Sequence, residues 1–387
     1  MTATDQLWAH IASVPFVDHH VHQPYRRAHA IPLDEFRRPF TEASIPAVWQ
    51  TQLPTQLGYH WMVRELAALL GVAPNEQAVL AARNGADAVA YHRLLADAAN
   101  LDVCYADDLF AQGQCYTIDE WAALIGRPVR RVLRVETFIE GCFAECAVLD
   151  DALHRLTQEI AAAPARGIVS LKSIAGYRSG LAIVPPVAAH RRETNVAYAR
   201  AQEAATTGKG RIAAKPLVDA IVWAALEAAA PQGLPMQFHV AFGDDDIVMH
   251  ENDPTLMRAV YAHEPFRAVP LVLLHCYPYH RHAGYLASIY PNVYVDLGLT
   301  IPIVGPRAVN ILAEALELTP TSQLLASTDG HMEPEFQWFG VFVWRWAIAR
   351  LLHGYVEDGI VAAGEAEEIA GAILRENALR IYPQAVP

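Results

Sequence analysis

The stretch FVDHHVH, residues 16–22, places three histidines at the end of a short apolar run, an arrangement that packing alone does not favour. A β-strand alternates its faces, so His20 and His22 fall on one side and His19 and Val21 on the other. Two imidazoles on one face can share a metal ion. A histidine-rich strand end is equally a polar, solvated exit from a sheet, and a single HxH does not separate these readings. What separates them is whether other strand-like runs end in residues of the same chemical kind.

Seven further apolar runs read as buried parallel strands: LDVCYAD (101–107), RRVLRVETF (130–138), GIVSLKSI (167–174), LPMQFHV (234–240), PLVLLHC (270–276), NVYVDLGL (292–299) and SQLLASTD (322–329). Between them lie Ala- and Leu-rich stretches with helical apolar spacing, such as LVDAIVWAALEAAA (217–230) and VNILAEALEL (309–318). Eight strands alternating with helices predict an α/β protein, a (β/α)8 TIM barrel. A doubly wound sheet fits less well, because no GxGxxG follows any of the strands. Two connections are too long for simple crossovers, 24–100 after the first strand and 175–233 after the fourth. The first carries helical patterns in HWMVRELAALLGV and AVAYHRLLADAAN and is expected to form a helical cap insertion over one barrel face. With no repeat or low-complexity segment, residues 1–387 read as a single domain.

At 387 residues, 53% hydrophobic and 18% charged, the chain has ample material for a core. A net charge of −13 argues against a nucleic-acid partner, which needs a concentrated basic face. No stretch has the apolar length of a membrane span, and MTATDQLWAHIASVPF is not a basic leader with an apolar core, so a cytoplasmic protein without a membrane partner is expected. Cys104, Cys115, Cys142, Cys146 and Cys276 form an odd set with no CxxC pair and read as reduced thiols. A small-molecule substrate is the expected partner, and self-association through a symmetric interface suits an acidic barrel.

The other strand-like runs do end in matching chemistry. Lys172 closes SLK, His239 closes MQFH, His275 closes VLLH and Asp329 closes LLASTD. The C-terminal ends of barrel strands meet at one mouth, where active sites of this fold lie, so four strand ends converge on His20 and His22. Singly, Lys172 is a barrel lysine paired to an acid, His239 or His275 a core histidine, and Asp329 an N-cap. Jointly, in order and on strand ends, they point to a site. Beyond Lys172, the loop AGYRSG (175–180) puts Tyr177 and Arg178 at the mouth as candidate substrate-binding residues. Arg178 either clamps a substrate carboxylate or pairs with a protein acid. His19, His280, His282 and His331 are candidates for orienting the ligands. The aromatic run FQWFGVFVWRW (336–346) reads as helix-face packing.

This set resembles the amidohydrolase superfamily of metal-dependent (β/α)8 enzymes, whose pattern is HxH on strand one, Lys on strand four, His on strands five and six, and Asp on strand eight. The stretches SLKSIAGYRSGL, FHVAFGDDD, LLHCYPYHRHAGYLASIYPNVYVDLGL, STDG and ENALRIY are similar to its amidohydrolase-related branch, especially the amidohydrolase-like domain that precedes a glutamine-synthetase-like domain in some fusion proteins. The likeness spans 165–383 and the first 23 residues, and not 24–130. It implies a divalent metal, zinc first, held by His20, His22, Lys172, His239, His275 and Asp329. If Lys172 is carboxylated it bridges two ions, with His20, His22 and Asp329 on one and His239 and His275 on the other; otherwise one ion is expected. A metal-activated hydroxide then attacks an amide, lactone or ester of a small carboxylate-bearing or γ-glutamyl-type substrate, with Asp329 as general acid/base. The alternatives are a one-metal decarboxylase or isomerase of a small carboxylic acid, and an inactive metal-binding scaffold.

Overall fold

Eight strands pair in chain order into one parallel sheet: β1 (Phe16–Val21), β2 (Leu101–Asp107), β3 (Val129–Arg134), β4 (Ile168–Ser173), β5 (Met236–Val240), β6 (Leu271–His275), β7 (Val293–Asp296) and β8 (Leu324–Leu325). The structure, a computed structural model, describes residues 3–111 and 113–383. The sheet curls back on itself beyond the short β8. There Asp329 N donates to His20 O at 3.1 Å and His22 N to Gly330 O at 2.7 Å, while Thr328 N donates to Asp18 Oδ1 at 2.9 Å. The result is the expected TIM barrel. Its strands are apolar because both faces are covered: Val17, Val132, Val169, Val272, Leu274 and Leu325 pack in one cluster with Tyr105. Tyr382, just past the helix Asn377–Ile381, joins that layer.

Three local expectations are revised. The run 130–138 is not all strand: β3 stops at Arg134 and Val135–Gly141 is helical. The turn is held by Glu136, which accepts from Ser173 Oγ at 2.6 Å and from Ile174 N at 3.1 Å, stapling the helix start to the end of β4. The last strand is only Leu324–Leu325, so Asp329 sits in a connector with φ +56°, and the β1 hydrogen bonds fix its place. In β1 a register shift between Asp18 and Val21 breaks strict alternation. His19, like every residue of β1, is enclosed, its Nε2 3.2 Å from Asp296 Oδ1 and its Nδ1 3.1 Å from Tyr382 Oη.

The connection after β1 is helical over Leu33–Arg37, Leu57–Leu70, Glu76–Gly85 and Ala88–Ala98. Asn75 and Asp87 cap the last two through Ala78 N and Ala90 N. The segment leans on the long helix Pro334–Glu357, with the Trp61 ring 5.7, 5.4 and 4.8 Å from Phe339, Phe342 and Trp346. That helix buries the aromatic run as packing. The β4–β5 connection holds helices Arg191–Ala205 and Lys215–Ala229. All five cysteines are free, and among the described residues no helix is long and apolar enough to cross a membrane.

Candidate active site

The strand ends bring all six predicted ligands to one place. His20 Nε2 and His22 Nε2 lie 3.1 and 3.3 Å from Asp329 Oδ1. His275 Nε2 lies 3.8 Å from Asp329 Oδ2, and Lys172 Nζ 3.0 Å from His20 Nε2. The His239 ring centroid is 4.6 Å from that of His275. Every one of the six is buried. The backbone is unusual where it delivers them, since His275 (φ +68°), Cys276 (φ +57°) and Asp329 (φ +56°) occupy left-handed conformations that L-residues seldom adopt. Such conformations persist when the surrounding structure over-determines them, and they gather at functional sites.

The outer contacts decide which way each imidazole presents its lone pair. His22 Nδ1 donates to Asp107 O at 3.3 Å and His275 Nδ1 to Gly298 O at 2.9 Å; both acceptors are carbonyls, so the proton is on Nδ1. Gln237 Nε2 donates to His19 O at 2.7 Å and to Tyr382 Oη at 2.9 Å, which turns its Oε1 toward His20 Nδ1 at 2.9 Å. The Nε2 lone pairs of His20, His22 and His275 therefore all face Asp329. Burial, reinforced by Lys172, pushes His20 down to about 3, so it remains neutral. Burial also lowers His275 and holds His239 well below the usual imidazole range.

Neutral imidazole lone pairs and a carboxylate aimed at one another repel unless a cation stands among them. His239 Nε2, His275 Nε2 and Asp329 Oδ1 are buried without a hydrogen-bond partner. His20, His275 and Asp329 each offer a ligand atom within 4.8 Å of the others. Nitrogen and oxygen donors in this convergent pattern fit a divalent ion of the zinc type.

The site opens into a cavity of about 510 Å³ lined by His22, Lys172, His239, Asp329 and Tyr177, among others. The Tyr177 ring lies 4.3 Å from that of His239. A Cβ on Gly243 would fall 2.0 Å from Tyr177 Oη, so the bare glycine backbone makes that packing possible. Arg178 also borders the cavity. Its guanidinium is engaged, with Nη1 3.0 Å from Glu140 Oε1 and 3.1 Å from Ile212 O. Of the other histidines, His331 borders the cavity with Nδ1 2.7 Å from Asp329 O. His280 pairs with Glu314 and His282 with Asp253, each outside the cavity lining.

Several residues at the site carry no mark in the sequence reading above. Gln237 stands two residues before His239 on β5 and, by alternation, shares its face; that signal was available. Asp107 and Arg134 end β2 and β3, with Arg134 Nη2 2.7 Å from Asp107 Oδ2, and the strand-end rule reaches both. Arg134 and neighbouring charges outweigh burial and hold Asp107 at about 2. Arg38, Glu42 and Asp244 arrive on loops and have no local signal.

Comparison with known proteins bears on family and fold. A family model described as amidohydrolase matches residues 183–384. Protein fluG of Emericella nidulans is 29% identical over 403 residues, covering 96% of this chain and 46% of that protein, so the chain spans about half the length of this curated relative. A crystal structure from Lactobacillus casei, classed provisionally as a metal-dependent hydrolase, superposes with a TM-score of 0.86 at 28% identity, covering 97% of this chain and 96% of that one. A uronate isomerase from Bacillus halodurans shares the fold, with a TM-score of 0.66 at 13% identity over 98% of this chain and 95% of its own.

Proposed function

This chain belongs to the amidohydrolase family, and from that premise we propose that it is a metal-dependent hydrolase cleaving an amide, lactone or ester bond of a small, carboxylate-bearing substrate. The observation that carries the reading is the convergence of unpartnered Nε2 and carboxylate lone pairs at Asp329, which a divalent cation satisfies. His20, His22, His239, His275 and Asp329 would hold the ion, with carboxylated Lys172 completing a second position. Bound there, the ion supplies Lewis acidity, lowering the pKa of a coordinated water toward about 7.

The remaining work falls to the protein. Asp329, whose Oδ1 lies 3.1 and 3.3 Å from His20 and His22 Nε2, takes the proton of the attacking water and returns it to the leaving group. Burial pushes Lys172 down to about 8, so a useful fraction is a neutral amine able to add carbon dioxide. Gln237, Asp107 O and Gly298 O hold three imidazoles in one tautomer. Tyr177 and the loop from Arg38 to Ser44 wall the cavity and limit water.

The test is a metal count by elemental analysis on protein purified with zinc and bicarbonate, beside Lys172→Ala, followed by a turnover screen of amides, lactones and esters. About two ions per chain, falling to one or none in the variant, with turnover of at least one substrate class, is the expected result. About one ion in both proteins places Lys172 outside the centre and favours the decarboxylase or isomerase reading. Bound metal with no turnover of any kind favours an inactive scaffold.

A further inference from the structure

Among the described residues, nearly every cation bordering the cavity is already matched. Arg134 pairs with Asp107 at 2.7 Å, Arg178 with Glu140 at 3.0 Å and Arg211 with Asp246 at 3.1 Å, while Lys172 is enclosed by the ligand set. Arg38 borders the same cavity, and its guanidinium makes no hydrogen bond or ion pair with any described residue. Its contact is the Trp49 ring, whose centroid lies 5.2 Å from the guanidinium carbon. The neighbouring Arg37 is the opposite case: Nε and Nη2 reach the two oxygens of Glu76 at 2.8 and 2.7 Å.

Arg38 is also firmly presented. It opens the turn Arg38–Phe40, whose Pro39 and Phe40 are buried. The Phe40 ring packs 5.6 Å from Tyr59 and 5.4 Å from Phe336. A half-buried guanidinium on a fixed turn, stacked on an indole and lacking an acid, is organised to receive a planar oxyanion through its fork. Elsewhere on the lining, Asp245 repels an anion, and Glu42, which burial and Asp244 push toward the protonated form, hydrogen-bonds Asp244 rather than Arg38.

We propose that Arg38 is the specificity-determining anchor of this cavity, binding a substrate carboxylate remote from the bond that is cleaved. The proposal rests on the cavity being the active site and assigns the substrate's charge to a residue of the long β1–β2 connection.

Calorimetric titration of the metal-loaded protein with glutarate and its neutral counterpart glutaramide tests it, in wild type, Arg38→Gln and Arg38→Lys. Wild type is expected to bind glutarate more tightly than glutaramide. Arg38→Gln should weaken glutarate by about tenfold or more, the scale of one lost charge-assisted hydrogen bond, and leave glutaramide within about twofold. Arg38→Lys should fall between, keeping the charge without the fork. Absence of glutarate binding by wild type, or equal glutarate affinity in all three proteins, overturns the proposal. Turnover plays no part in this readout. A protein that hydrolyses nothing yet loses glutarate in Arg38→Gln refutes only the hydrolase reading, and an active protein indifferent to Arg38→Gln refutes only the anchor.

Discussion

Two buried polar clusters hang from the connector after β8 and the start of the helix that follows it, and are wired in opposite ways. At Glu333 and Glu335 opposite charges meet. Arg27 Nε donates to Glu333 Oε1 at 2.9 Å, Arg83 Nη2 to Glu333 Oε2, Arg83 Nε to Glu335 Oε1 at 2.9 Å, and Tyr91 Oη to that same oxygen at 2.9 Å. Of the four carboxylate oxygens only Glu335 Oε2 has no partner. At Asp329, four residues earlier, acceptors face acceptors, and three buried polar atoms have no hydrogen-bond partner. The first cluster meets three of its four carboxylate oxygens with protein donors and ties the β1–β2 connection to the barrel. The second is incomplete, and an unsatisfied buried acceptor costs stability until something binds. Burial and charge alone do not distinguish structure from function here; the sign and direction of the lone pairs do.

Substitutions in the two clusters should separate cleanly. The largest expected effect is Asp329→Asn, which should lower kcat by about 10²–10⁴-fold, the range of a lost general acid/base, while metal-free stability in a thermal melt stays unchanged or rises slightly. A marked loss of stability in the metal-free variant would place Asp329 with the structural cluster instead. Arg83→Met comes next. It leaves Glu333 and Glu335 buried against an apolar chain and should cost about 3–5 kcal/mol in denaturant unfolding, with metal content per folded chain unchanged. Loss of metal without loss of stability would merge the two clusters into one functional unit.

The smallest effect concerns Lys172, whose pKa burial holds at about 8 rather than 10.5. Its neutral, carboxylatable fraction grows as pH rises through 8, so stripped protein supplied with zinc at fixed dissolved carbon dioxide should regain activity about tenfold faster at pH 9 than at pH 7. Since the folded pKa lies below the unfolded one, the metal-free protein should also gain stability as pH rises from about 8 toward 10.5. A reactivation rate flat across this range would show that neutral Lys172 is not what limits assembly of the site.

The six candidate ligand positions were legible because each stands at or just past a strand of a parallel barrel, and the fold converts that one-dimensional place into a shared mouth. The supporting residues were legible only where they share that logic. Gln237 follows from alternation with His239, and Asp107 and Arg134 from strand ends. The helical start at Val135 was read as strand because the partners that hold Glu136, Ser173 at the end of β4 and Ile174 just past it, lie in a distant segment.

By itself the sequence determined the barrel, the order of its strands and the chemical types gathered at the strand ends, since these depend on apolar periodicity and on residue type at strand ends. Tertiary structure alone decided which nitrogen of each imidazole faces the centre, which arginine is spent on a protein acid and which remains free, and how the connector after β8 serves two clusters. Those outcomes depend on partners as much as 363 residues apart, as in the His19–Tyr382 contact, and a local pattern carries no information about a partner at that distance.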